Sequence, residues 1–403
     1  MPFLPLLRRR VAVFAGLCVG LSMAHAQNHV VTLRQALEAA WTLSPSSRAA
    51  ANRQAELQAK SEAARSLLAG SPALTLAHRT DRLQTNGGLR EYEVEVGLPL
   101  WNFGMRHATQ RQVAADAALQ ELQIQLARLK LAGELREAAS QLATLQAERN
   151  LVARKLDEAN RLAIDTERRL KAGDTARVDL LQAQSAIRQA EGLLSQADAA
   201  LARARGHWSS LTGLSTSPEL GEQPGVATEH PALMVARAQV HSAQMRLALV
   251  EADRRDPMEL GVGAARERAA AGAIGETTMR FSIRIPFGGD TRNAAKLAAA
   301  RAELDAALAE ADATQRQIET EREAARVRLE TARRNETLAA QRAALATQIQ
   351  ALIAKAHQLG ETDLPSRMRA DNEKFDAELA LTRARIDIRR AVTQLNQSLG
   401  LLP

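Results

Sequence analysis

Glu91, Glu93 and Glu95 occupy every second position of one short segment, EYEVEVGLPL, and theirs is the carboxylate spacing that first suggests chemistry. Neighbouring carboxylates can divide acid and base roles when their surroundings push their pKa values apart. Period-two spacing, however, puts all three on one face of an extended strand. A wetted strand face accounts for the row better than a general acid/base set. The eight histidines are scattered, and His230 and His241 share no metal-ligand spacing with a nearby acid. No phosphate-binding loop, nucleophile elbow or cysteine cluster is present, and the one cysteine is Cys18. Most other carboxylates sit among arginines on helical stretches, where i,i+4 pairing explains them. The sequence thus predicts no catalytic residue, no metal site and no cofactor.

Opposite the glutamates, Tyr92, Val94, Val96 and Leu98 share the other face of their strand. The segment TTMRFSIRIPF (277–287) repeats the pattern, with Met279, Phe281, Ile283, Ile285 and Phe287 alternating with Arg280, Ser282, Arg284 and Pro286. Nine or ten residues of such alternation fit a tilted membrane strand with lipid on one side and water on the other. Tyr92, Val94, Val96, Phe281, Ile283 and Ile285 are then the lipid-facing candidates. Glu91, Glu93, Glu95, Arg280 and Arg284 are the lumen candidates. The preceding segments, 73–83 and 258–268, alternate only partly; Asn86-Gly87-Gly88 and the run 269–275 supply the hairpin turns. Trp101 and Phe103, at the end of the second strand, suit an interfacial aromatic belt.

The rest of the chain reads as helix. Of 403 residues, 46% are hydrophobic, largely Ala and Leu, 25% are charged, and aromatics number three Trp, one Tyr and six Phe. That mixture describes long helices packed through small side chains, not a disordered chain or a disulfide scaffold. Arg8, Arg9 and Arg10, the apolar run VAVFAGLCVGLSM and Ala24-His25-Ala26 have the order of a secretory signal peptide over residues 1–26. Its removal takes Cys18 and His25 and lowers the formal charge from +7 to about +4. The remaining basic and acidic residues are interspersed, with no aromatic-basic cluster, so nucleic acid is not a predicted partner.

The chain repeats itself at an offset near 187. Pro99 corresponds to Pro286, Gly173-Asp174-Thr175 to Gly360-Glu361-Thr362, and Gly213-Leu214 to Gly400-Leu401; Ser44-Pro45 pairs with His230-Pro231, and Pro72 with Pro257. A first repeat spans 27–214, a linker 215–229 and a second repeat 230–403. Each repeat opens with a helix (33–70; 231–253) and continues with a hairpin (72–100; 257–287). A long helix (105–171; 291–359) and a closing helix (175–212; 366–400) follow. Residues 105–171 contain no proline and one glycine, Gly133, and at 1.5 Å per residue form a rod about 100 Å long. Leu135, Ala138, Leu142, Leu145, Val152, Leu156, Ala159 and Ala163 recur at spacings of three and four. Leu338, Leu345, Leu352 and Leu359 recur each heptad, the seam of a coiled coil. The predicted fold class is mainly α with a small β part, internally duplicated. Four strands cannot close a barrel in lipid, where unpaired edges are prohibitively costly, so the strands must be completed by other copies.

Five segments resemble the outer-membrane efflux protein family, the TolC-like channel-tunnels. LPLWNFGMRHA (98–108) and IPFGGDTRNAA (285–295) are similar to its strand-to-helix transition, and RRLKAGDTARVDLLQAQ (168–184) to its helix–turn–helix at the periplasmic tip. ARGHWSSLTGL (204–214) and AVTQLNQSLGL (391–401) resemble its repeat ends. The resemblance implies a homotrimer with a twelve-stranded barrel in outer-membrane lipid and a helical tunnel through the periplasm. It also implies docking through an adaptor (a membrane fusion protein) onto an inner-membrane pump. Tip contacts are expected at Gly173, Asp174, Thr175, Val178, Leu181, Gly360 and Leu364. The aperture candidates are Asp179, Asp363, Ser366 and Arg369. Here the chain departs from the family, whose second tip usually carries Asp six and nine residues after its glycine; these positions are Ser366 and Arg369. The expected function is passive efflux of heavy-metal cations or small toxic compounds. Export of a polypeptide, or a non-pore periplasmic scaffold, is the alternative.

Overall fold

The computed structural model describes residues 31–83, 85–287 and 290–403. The signal-peptide segment, with Cys18 and His25, and the Gly288-Gly289 pair lie outside the described residues. The two halves share one element order, except that the first opens with two helices and the second with one. The first contains α1 (Leu33–Leu43), α2 (Pro45–Arg65), β1 (Ala73–Thr80), β2 (Arg90–Leu100), α3 (Met105–Ala172) and α4 (Arg177–Thr212). The second contains α5 (Pro231–Ala252), β3 (Met258–Arg268), β4 (Glu276–Arg284), α6 (Asp290–Gln358) and α7 (Leu364–Ser398). No helix among the described residues is long and apolar enough to cross a membrane.

The opening helix is not the single one expected over 33–70. Thr32 starts α1 with a reciprocal cap: its hydroxyl accepts from the Gln35 amide, and the Gln35 side chain accepts from the Thr32 amide. The helix stops at Ser44, which is extended (ψ 134°) because Pro45 clashes with a helical residue before it. The Ser44 hydroxyl then accepts from the Ser46 amide at 3.1 Å and caps α2, with Pro45 in its first turn. α2 ends at Arg65, five residues early, where Ser66 turns extended.

The two rods, α3 with 68 residues and α6 with 69, are each about 100 Å long. Both end at a glycine with positive φ, Gly173 (85°) and Gly360 (80°). In each turn the following amide reaches back to the last helical turn, Asp174 to Arg169 and Glu361 to Ala356, both at 2.9 Å. α4 and α7 then return along α3 and α6. The α3 row from Leu135 to Ala163 faces inward as its spacing requires: Leu135, Ala138, Leu142, Val152 and Ala163 are buried. The largest core cluster joins it to α1, α4 and the fully buried Trp208.

The α6 heptad has no cover within the single chain. Leu338, Leu345, Leu352 and Leu359 are 60–70% exposed and do not form the seam with α7. That seam is built mainly from alanines, Ala325, Ala343 and Ala346 against Ala377 and Ala391, with Leu329, Val392 and Leu395. Alanine brings the backbones close, and the leucine row lies on another side of the rod.

The four strands form one antiparallel sheet in chain order, so β1 and β4 are its edges.

Candidate functional site

The register sorts the sheet into two unlike faces. One carries Leu98–Leu260–Ile283, then Leu74–Val96–Val262–Phe281, then Leu76–Val94–Ala264–Met279, as facing residues across the strands. A row of His78, Tyr92, Arg266 and Thr277 follows, where the His78 and Tyr92 rings stack with centroids 4.5 Å apart. All the lipid-facing candidates within the ladder share this face. Ile285 is placed differently: β4 ends at Arg284, and Ile285 lies past the ladder, 54% exposed, just before Pro286.

The other face carries Glu91, Glu93 and Glu95 with Arg280, Ser282 and Arg284, so the lumen candidates come together. Pairs form across it: Glu93 with Arg280, Glu95 with Ser282 at 2.9 Å, Glu259 with Arg284 at 3.2 Å. The first two pairs join β2 to β4 over the intervening β3. They pass because β3 has Gly261, Gly263 and Ala265 there. A Cβ on Gly261 would lie 2.1 Å from a Glu95 carboxylate oxygen, and one on Gly263 would lie 2.8 Å from the Val94 carbonyl. Crossing side chains explain Gly261, and close approach of backbone explains Gly263. The two faces of the sheet thus differ sharply in polarity.

Below the sheet, side chains of the strand-to-helix turns fix its position. The Trp101 indole donates to the Ser66 carbonyl at 3.0 Å, and the buried Asn102 amide donates to the carbonyls of Arg255 (2.7 Å) and Asp256 (3.1 Å). Phe103 projects into solvent.

At the far end of the rods the two turns sit together. Arg169 on α3 donates to the His357 and Gln358 carbonyls at the end of α6, at 2.9 and 3.4 Å, satisfying orphan carbonyls and placing positive charge at a helix C-terminus. Gly173, Asp174 and Gly360 are exposed, Thr175 is half-buried, and Val178 and Leu181 are each 56% exposed on α4. Leu364 is a correction: at 3% exposure it is packed with Ala163 and Ala183, out of reach of a partner. Its apolar side chain is where α7 seats on α3 and α4.

The aperture candidates are largely occupied by their own chain. Asp179 accepts from the Thr175 hydroxyl and the Ala176 amide at the start of α4. Asp363 caps α7, accepting from the Ser366 amide at 3.0 Å, and hydrogen bonds from Ser366 hold its pKa below the usual carboxylate value. Arg369 is exposed and donates to the Ser366 hydroxyl at 3.0 Å. Arg367 binds both oxygens of Asp371, which also accepts from Gln350.

One polar centre was not anticipated. Arg136, 3% exposed, donates to both Glu222 oxygens (3.0 and 2.9 Å) and to the Gln397 amide oxygen (2.6 Å). Asn396 donates to Glu222 and to the Gln223 carbonyl, and accepts from the Gly225 amide. The Gln397 amide donates to the Leu129 carbonyl, above Gly133, where a Cβ would meet that amide at 3.1 Å. The network straps the inter-repeat linker and the end of α7 to α3, and it accounts for the rod's single glycine. Among the described residues no group of three or more His, Cys, Asp or Glu is placed to hold a metal ion.

Residues 16–214 match the family described as outer membrane efflux protein. Among solved structures, the chain is similar to CusC, at a TM-score of 0.76 and 15% identity over 92% of this chain and 93% of that one. It is similar to the outer membrane protein VceC of Vibrio cholerae, at 0.72 and 17% over 91% and 96%. A membrane protein from Pseudomonas aeruginosa matches at 0.74 and 18% over 91% and 93%. At these identities the likeness is one of fold. No curated protein matches the sequence.

Proposed function

We propose that this chain, which belongs to the outer membrane efflux protein family, is the exit duct of a three-part efflux assembly. It is a transport protein and not an enzyme, and its mechanism is conduction and gating. The observation that carries the reading is the two-faced sheet with both edges open. Three copies supply twelve strands, whose apolar face meets outer-membrane lipid and whose polar face lines a water-filled lumen. Closing the ring removes the edges that lipid would not tolerate. The exposed leucine row of α6 then finds cover against neighbouring rods, and the helices extend into the periplasm as a tunnel.

The turns at Gly173 and Gly360 form the periplasmic tip. There Val178 and Leu181 offer apolar contacts to an adaptor, which connects the duct to an inner-membrane pump. Adaptor binding shifts the tip toward an open state by favouring that state over the closed one. Passage is passive, and the cargo class is heavy-metal cations or small toxic compounds. The polar face supports cations over anions, with Glu91, Glu93, Glu95, Glu259, Glu267 and Glu276 set against Arg79, Arg280 and Arg284.

The test is reconstitution of detergent-purified protein into planar bilayers. Stepwise ion currents from a trimer, with cations favoured in a salt gradient, are the expected result. A water-soluble monomer that conducts nothing would leave a periplasmic scaffold as the function. Survival of a deletion strain under cadmium, cobalt, zinc and lipophilic antibiotics identifies the cargo.

A further inference from the structure

The internal duplication fixes how one copy's sheet joins the next. Across the junction between the repeats, the second strand of one hairpin (β2) meets the first strand of another (β3). The missing junction, β4 with β1 of a second copy, has the same composition of strands. Positions correspond as follows. Pro99 on β2 matches Pro286, two residues past the end of β4, an offset of 187 that makes Phe281 the counterpart of Val94 and Ile283 that of Val96. Within the hairpins Val94 faces Leu76 and Phe281 faces Val262, so Val262 is the counterpart of Leu76. At the junction between repeats Val96 faces Val262.

We infer that β4 pairs with β1 of a second copy in the register that repeats this junction, with Ile283 facing Leu76 and Ser282 facing Ala77. The inference rests on the reading above, that several copies share one barrel, and adds to it the residues that meet. In this register the two faces stay continuous, Ile283 and Phe281 meeting Leu76 and His78 on the apolar side. Met279 meets Thr80, the last residue of β1. Sliding forward by two residues would carry Met279 beyond the strand. On the wet face Arg280 opposes Arg79, but each already has a carboxylate of its own chain, Glu93 and Glu91.

The geometry of the closed ring agrees. From Leu76 the facing residues run Val94, Ala264, Met279 and then Thr80 of the next copy, a climb of four positions per chain. Three chains climb about twelve over twelve strands, which at about 3.3 Å per residue and 4.8 Å between strands gives a tilt of about 35°. Sliding back by two residues halves the climb and gives about 19°, far flatter than barrels of this kind. The helices point the same way: α5 is wedged between two rods, α3 and α6, whereas its counterpart α2 packs along one rod, α3. The same rule sets the free flank of α2 beside α6 of the neighbouring copy.

The test uses the full chain, whose only cysteine is Cys18 in the predicted leader. Three double variants are oxidised in outer membranes: Ser282→Cys with Ala77→Cys, with Thr75→Cys and with Arg79→Cys. Facing residues lie within disulfide reach, while a two-residue offset separates Cα atoms by about 8 Å, so the Ala77 pair should give about tenfold more reductant-sensitive dimer and trimer than the others. Preferential linkage through Thr75 or Arg79 overturns the register. No linkage in any pair, with a trimeric mass in detergent, overturns the register and leaves the barrel reading standing; a monomeric mass overturns both.

Discussion

Replacing Arg136 by Met is the most informative single change outside the sheet. The guanidinium is 3% exposed and Glu222, its partner, 13%, so the pair is largely out of water. The substitution keeps an apolar stem and removes two hydrogen bonds to Glu222 and one to Gln397. What remains is a nearly buried carboxylate held only by Asn396 at 2.8 Å. Stranding one member of a buried pair costs about 3–5 kcal/mol, and the residual access of Glu222 to water places this case near 3. The double variant, Arg136→Met with Glu222→Leu, removes the stranded charge and should recover most of that loss, because well-packed apolar replacements of buried pairs are often neutral. The assay is thermal loss of helical circular dichroism in detergent for the parent, both single variants and the double. Amide exchange at Gly225, which donates to Asn396, reports the linker directly. If Arg136→Met melts with the parent, or if the two single effects simply add in the double variant, the strap is not coupled as the contacts require.

Three further outcomes are expected. Ile283→Arg should lower insertion by about 2–4 kcal/mol if the residue faces mid-bilayer lipid, while Ser282→Arg on the opposite face should be tolerated, as the yield of heat-resistant oligomer in membranes will show. Gly263→Ala, whose Cβ would press on the Val94 carbonyl, should cost about 1–3 kcal/mol of barrel stability; Gly97→Ala, with its nearest atom 3.8 Å away, is the matched control. His230 caps α5 through Nδ1, which accepts from the Ala232 amide at 3.1 Å, and burial, aided by Arg322, holds its pKa below the ordinary histidine value. The unfolded chain therefore takes up its proton first, so stability is intact above about pH 6.5 and declines as pH falls through the lower folded value. His230→Asn, which caps without titrating, should flatten the melting temperature between pH 7.5 and 5.

Whether a feature could be read from the sequence followed the range of the interaction behind it. The alternation of Glu91–Val96 and of Met279–Arg284 was legible because successive residues of a strand fall on opposite faces, here one apolar and one polar. The turns at Gly173 and Gly360 were legible because positive φ selects glycine within a few residues. The break at Ser44 was visible as a proline signal, but the cap that starts a second helix needed the Ser44 hydroxyl to be seen on the Ser46 amide. The α6 leucines were legible as a face to be covered, but a heptad does not name the cover, and within the single chain they stay exposed. Leu364 looked like a tip residue because it follows the turn, whereas its burial depends on Ala163 and Ala183 of the other repeat. The Arg136 centre was illegible: its partners lie 86 and 261 positions away, and no local pattern announces them.

The near-total exposure of β1, open along all eight residues, has a bearing on the order of events during biogenesis. A newly made chain can bury Leu135, Trp208 and their neighbours by itself, so the rods have a reason to form early. Its sticky strand borders gain nothing until siblings arrive, and meanwhile they can capture any passing extended peptide. Maturation should thus begin at the middle of the molecule and finish at its rim, with the last step second or third order in chain concentration.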